Sequence, residues 1–151
     1  MQLTQPETRT APITRPNLGL TAAIVELTLT TAYIHFTLGG ALFTLNAAGY
    51  AALAAAMVVA ATVPHPLMSR FAWVPRIGLA GYTATTIAAY LVIGPYFTLG
   101  WVAKAIEVAI ITLLVVDLQR AYGSPAGLVR AALASLGLGS GSRPMNPARS
   151  A

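Results

Sequence analysis

The fold is decided by residues 18–61, LGLTAAIVELTLTTAYIHFTLGGALFTLNAAGYAALAAAMVVAA, which hold a single acidic side chain, Glu26, and no Lys or Arg. The stretch is about twice the ~20 apolar residues that one helix needs to cross a bilayer. Gly39-Gly40 lies near its middle, where chain reversal needs backbone freedom that side chains restrict. The reading is two crossings joined by a tight turn, about Leu18–Leu38 and Ala41–Ala61.

Outward from this hairpin the pattern repeats. Residues 63–76 carry Pro64, Pro66 and Pro75 with Phe71, Trp73, Arg70 and Arg76, the composition of an interfacial loop. A third crossing over about Ile77–Ile93 stops at Gly94-Pro95, because proline lacks a backbone donor and restricts the residue before it. A fourth follows over about Trp101–Leu118. Beyond it, Ser124-Pro125 reads as a helix start, and Leu128, Val129, Leu133 and Leu136 recur at helical spacing. Residues 121–138 are therefore expected to form an amphipathic helix on the membrane surface. Residues 1–17, polar with Pro6, Pro12 and Pro16, and residues 139–151, rich in Gly, Ser, Pro and Arg, are expected to be flexible.

Composition agrees with an all-α integral membrane four-helix bundle: 56% of the 151 residues are hydrophobic and 9% charged, against about 25% charged in soluble domains. The net charge of +5 does not suggest nucleic acid, since no basic run or aromatic-basic platform accompanies it. Instead Arg9, Arg15, Arg70, Arg76, Arg120, Arg130, Arg143 and Arg149 all fall on one side of a four-crossing arrangement. That asymmetry places both termini and the middle loop in the cytoplasm. The lipid bilayer is the first partner, and other membrane subunits or self-association are the candidates beyond it.

Absence of cysteine excludes disulfides, iron–sulfur ligation and thiol nucleophiles. His35 ends the first crossing and His65 lies in the loop, about one ~30 Å hydrocarbon thickness apart, so the two do not ligate one haem or metal. No cofactor and no enzymatic motif is expected.

The informative residues are polar groups inside the bilayer, where charge is costly and usually faces a partner or a cavity. Glu26, Asn46, Lys104 and Glu107 are the candidates. Lys104 and Glu107 lie three apart on one helix, the spacing of an intrahelical ion pair. Glu26 belongs to a stripe of Gly19, Ala22, Ala23, Thr30, Tyr33 and Thr37. With Leu20, Ile24, Leu27 and Ile34 taken as the lipid side, Glu26 is expected to point inward and meet the pair. Tyr33, Tyr50, Tyr82, Thr86 and Tyr90 are candidate supporting hydroxyls.

His35-Phe36-Thr37-Leu38-Gly39-Gly40, continuing through Asn46 and Gly49-Tyr50, with Gly94-Pro95-Tyr96-Phe97, Lys104 and Glu107, resembles small four-helix bacterial membrane proteins of uncharacterised function. The resemblance covers roughly residues 18–120, and in size and helix count the chain is similar to the DoxX-like group. It implies an architecture and a bacterial source, and no activity; the localisation expected is the bacterial inner membrane. The function expected is that of a non-enzymatic accessory or structural subunit. The alternative is a small transporter or channel built on Glu26, Lys104 and Glu107.

A topology reporter fused after Arg120 should read cytoplasmic, and an epitope inserted between Gly39 and Gly40 should be labelled only from outside intact cells. Labelling of that epitope solely after the membrane is opened would overturn the orientation.

Overall fold

The computed structural model describes residues 17–138, and within them the chain is all-helical. Six helices occur in order: α1 (Leu18–Leu38), α2 (Gly40–Thr62), α3 (Pro66–Arg70), α4 (Trp73–Ile93), α5 (Thr98–Tyr122) and α6 (Pro125–Ser135). Four of them, α1, α2, α4 and α5, are long and apolar enough to cross a membrane. Of the ends expected to be flexible, residues 1–17 and 139–151, all but Asn17 lie outside the described residues.

Local sequence explains the boundaries. The Asn17 side chain accepts from Leu20 N at 3.2 Å and caps α1, satisfying one of the donors that a helix start leaves free. Gly39 and Gly40 both have positive φ (71° and 80°), which turns the chain into α2 with no residue between the glycines. The helix α4 begins at Trp73, four residues before the expected Ile77. Pro75 is tolerated there because the first-turn amides have no intrahelical partner to lose. The helix α5 extends from Thr98 to Tyr122, past both expected ends, and Ser124 caps α6 by accepting from Gly127 N at 3.1 Å. The tetrapeptide Phe36-Thr37-Leu38-Gly39 recurs in the sequence as Phe97-Thr98-Leu99-Gly100, but the two copies occupy unlike places, the last turn of α1 and the first turn of α5.

The main helix contacts run α1 to α2, α2 to α4, α4 to α5 and α5 back to α1. Their shared core is Ile24, Tyr50, Met57, Leu79, Ile110 and Leu114, all fully buried or nearly so. At the tail end, Arg76 and Asp117 form a buried ion pair (Nε to Oδ2, 2.6 Å), with Arg76 Nη1 also donating to the Ala72 carbonyl at 2.6 Å. There α6 is tied back by Arg70 Nε donating to the Ser135 carbonyl (2.6 Å) and Trp73 Nε1 to its hydroxyl (3.1 Å).

At the turn end, large rings lie against glycines. A Cβ on Gly49 would overlap the Tyr82 hydroxyl, and one on Gly100 would overlap that of Tyr90. Tyr82 cannot easily yield, since its ring packs edge-on against Tyr50 at 5.0 Å between centroids. Gly49→Ala should therefore destabilise the protein by ~1–3 kcal/mol, whereas Gly81→Ala, which meets open space, should be neutral or slightly stabilising. Thermal unfolding of the two variants in detergent checks this, and equal midpoints would show that the Gly49–Tyr82 fit is not tight.

Candidate functional site

The polar centre of the molecule is the carboxylate of Glu107 on α5, which is fully buried. Lys104, one turn earlier on the same helix, donates from Nζ to Oε2 at 2.5 Å. Thr86 on α4 donates to the same oxygen at 3.0 Å, and Tyr50 on α2 lies 2.7 Å from the Thr86 hydroxyl. The one Thr86 proton has two acceptors in range, Glu107 Oε2 and the Thr83 carbonyl at 2.9 Å, and with that proton so directed the Tyr50 O–H donates to Thr86 Oγ1. From α1, Thr31 Oγ1 donates to Glu107 Oε1 at 3.4 Å. All four long helices therefore supply a group to one carboxylate or to its immediate donor.

His35 completes the arrangement. Its Nδ1 lies 2.7 Å from the Thr31 carbonyl, an atom that can only accept, so Nδ1 carries a proton. Its Nε2 is 3.7 Å from Glu107 Oε1, too long for a hydrogen bond but within ion-pair range. The Lys104 ammonium is further placed 3.4 Å from the Thr86 carbonyl and 5.5 Å from the centroid of the Tyr90 ring, a cation–π geometry. A buried carboxylate is tolerable only when paired and hydrogen-bonded, and both conditions are met here.

Among the residues singled out from sequence, Lys104, Glu107, Tyr50 and Thr86 are brought together. Tyr90 lies beneath the Lys104 ammonium. Tyr82 is adjacent, donating from its hydroxyl to the Asn46 carbonyl at 3.3 Å. Asn46 is half-buried, and its side-chain amide makes no hydrogen bond among the described residues. Tyr33 is 69% exposed and takes no part.

Glu26 is the correction. It is exposed on α1 and does not meet Lys104 or Glu107. The buried side of α1 is Thr21, Ile24, Thr28, Thr31 and His35. Glu26 is two residues from both Ile24 and Thr28, about 200° round the helix at 3.6 residues per turn. The stripe of Gly19, Ala22, Glu26, Thr30, Tyr33 and Thr37 is real as a face, but it looks out of the fold. Buried threonine explains the reversal: Thr28 Oγ1 donates to its own Ile24 carbonyl at 2.7 Å. A hydroxyl satisfied within its own helix can be packed like a valine.

Sequence reasoning missed His35, Thr31 and the Arg76–Asp117 pair. A usable signal existed for two of them, since Thr31 and His35 are four apart and so share a helix face. Among the described residues no group of three or more His, Asp or Glu is placed to hold a metal ion.

Comparison of the chain with family models, curated proteins and solved structures finds no match.

Removing one partner of a buried pair costs ~3–5 kcal/mol because it leaves an uncompensated charge, so Lys104→Met should lower the unfolding midpoint strongly. Glu26→Gln should hardly move it, and the Glu26→Gln, Lys104→Met double variant should lose the sum of the singles. Lys104→Met with Glu107→Leu should instead lose less than its sum. A non-additive Glu26–Lys104 cycle would show contact between residues that the fold separates.

Proposed function

We propose that this chain is a non-enzymatic, multi-pass protein of a bacterial inner membrane, with both termini cytoplasmic, that works as an accessory subunit through lateral association. The observation that carries this reading is the exposed Glu26. At ~1.5 Å rise per residue it lies about 12 Å along α1 from Leu18, too deep for a short carboxylate to reach water without cost. Ionisable groups at such depth pair or face a protein interior, and the fold itself offers Glu26 no side-chain partner among the described residues.

The surrounding face is suited to another helix. Gly19 and Ala22 are exposed and small, and small residues allow backbones in lipid to approach closely. Thr30 and Tyr33 add hydroxyls on the same side. A second copy of the chain is the simplest occupant. Two copies inserted in one orientation bring their α1 faces together in parallel, with both Glu26 residues at one depth. When both carry a proton, the two carboxyls hydrogen-bond to each other as a neutral pair that needs no cation.

The transport alternative is disfavoured by layering. Between the Glu107 centre and the Arg76–Asp117 pair lie Ile24, Met57, Leu79, Ile110 and Leu114, each at most 1% exposed. The polar side chains buried in the same span are Thr28, whose hydroxyl donates within its own helix, and Thr83, so the layer offers an ion no charged group and few polar steps. The likeness in size and helix count to the DoxX-like group adds architecture to this proposal and no activity.

The chain has no cysteine, so single-cysteine crosslinking is free of background. Ala22→Cys should form a disulfide-linked dimer in oxidised membranes, Val92→Cys, on the exposed side of α4, should not, and adding Glu26→Leu should cut the Ala22 product several-fold. Equal crosslinking at both positions, or none at Ala22, would remove the α1 interface.

A further inference from the structure

At the turn end a partly open cavity of about 330 Å³ is bounded by all four long helices. This is within the ~300–1,000 Å³ typical of small-molecule sites. Its walls are mostly apolar, with Leu38, Leu42, Phe43, Ala89 and Ile93 among them, and its polar lining includes His35, Asn46, Tyr82, Thr86 and Lys104, with the Thr85 and Tyr90 hydroxyls engaged by backbone carbonyls. An apolar chamber with a few convergent polar groups is the ordinary form of a ligand site.

The polar groups define what fits. The Lys104 ammonium has three N–H groups. Glu107 takes one, the Thr86 carbonyl takes a second at a long 3.4 Å, and the third has no acceptor among the described residues. The Asn46 amide is likewise without a partner there. The cavity therefore presents donors in excess. A full anion is nevertheless a poor occupant, because Glu107 already neutralises Lys104 and a second negative charge would enter the membrane interior uncompensated. A neutral acceptor satisfies the donors without that cost.

We propose that this cavity binds a small, uncharged, membrane-soluble carbonyl compound, its oxygen accepting from the Lys104 ammonium and the Asn46 amide and its hydrocarbon body lying among Leu38, Leu42, Phe43 and Ile93. The site is independent of the association face, since Glu26 is on the far side of α1 from Thr31 and His35. Lys104 and Asn46 are ligand-positioning groups here, with no covalent step.

Trp101 provides the readout: its ring meets the cavity-lining Tyr90 edge-on at 5.4 Å, and Trp73 is the only other tryptophan. A full-length Trp73→Phe protein in phosphatidylcholine nanodiscs would be titrated with 2-nonanone and, separately, with nonane, which shares its chain and lacks the carbonyl. The emission of Trp101 should change saturably, with 2-nonanone half-saturating at a concentration at least tenfold below nonane. Asn46→Leu should reduce that ratio to less than threefold, and Ala89→Phe, which fills the chamber and leaves the Lys104–Glu107 pair intact, should abolish the saturable response to both. Equal half-saturation of the parent by ketone and alkane would overturn the proposal, leaving a hole that takes any hydrocarbon, lipid tails included. Survival of the ketone response in Ala89→Phe would overturn it by placing binding elsewhere. The parent comparison alone decides the matter if Asn46→Leu fails to fold.

Discussion

Everything in this structure is arranged around one buried carboxylate. Apolar packing gives helices in lipid little reason to prefer one another over acyl chains, so association depends on close fit and on polar contacts. Glu107 makes such contacts obligatory. Its two oxygens accept from Lys104, Thr86 and Thr31, on α5, α4 and α1, and Tyr50 reaches the set from α2. Each of those helices is thereby held at one rotation about its axis and one height. The Arg76–Asp117 pair repeats the constraint ten residues along α5, about 15 Å away at helical rise. Two fixed points on α5, each bonded to α4, leave that pair of helices little freedom to slide or swivel.

The layers between and beyond those points differ in what they can do. Ile24, Met57, Leu79, Ile110 and Leu114 close the middle. Toward the turn end, Tyr82 and Tyr90 are accommodated against Gly49 and Gly100, and the helices there enclose a cavity in place of a core. The polar groups of the centre consequently have a sealed side and an accessible side. Glu107 is on the sealed side at 0% exposure, and Lys104, which it neutralises, is part of the cavity lining. That asymmetry is what favours the proposed binding of a molecule entering from one end over passage from one end to the other.

How much of this the sequence disclosed depends on the range of the interaction. Four long apolar helices follow from runs of residues and their interruptions at Gly39-Gly40 and Gly94-Pro95, so they were legible locally. The Lys104–Glu107 pair was legible too, because a spacing of three is a contact within one helix. Arg76 was hidden by its own charge: as a loop-type residue it argued for a later helix start, and only its pairing with Asp117 lets α4 begin at Trp73 and carry a buried guanidinium. His35 was hidden by position, since a histidine near a helix end looks interfacial until Thr31 and Glu107 are placed beside it. For α1 the two faces are almost equally polar in composition. Thr21, Thr28 and Thr31 stand on one side, and Thr30, Tyr33 and Thr37 on the other. A rule that assigns the polar stripe to the interior has no purchase on such a helix.

The exposure of Glu26 follows from that same symmetry. Turning α1 by half a revolution would bring Glu26 inside, but it would carry Thr31 away from Glu107 and His35 away from Tyr50, whose ring it now approaches at 5.6 Å. The interior would then hold two carboxylates against one Lys104, a worse balance than one outside and one inside. The fold therefore retains an acid on its surface because the alternative unbalances the centre. The chain's own four long helices offer Glu26 no side-chain partner among the described residues. In a bilayer, where water is scarce at that depth, this unmatched acid is the reason for proposing that a neighbouring protein surface covers α1.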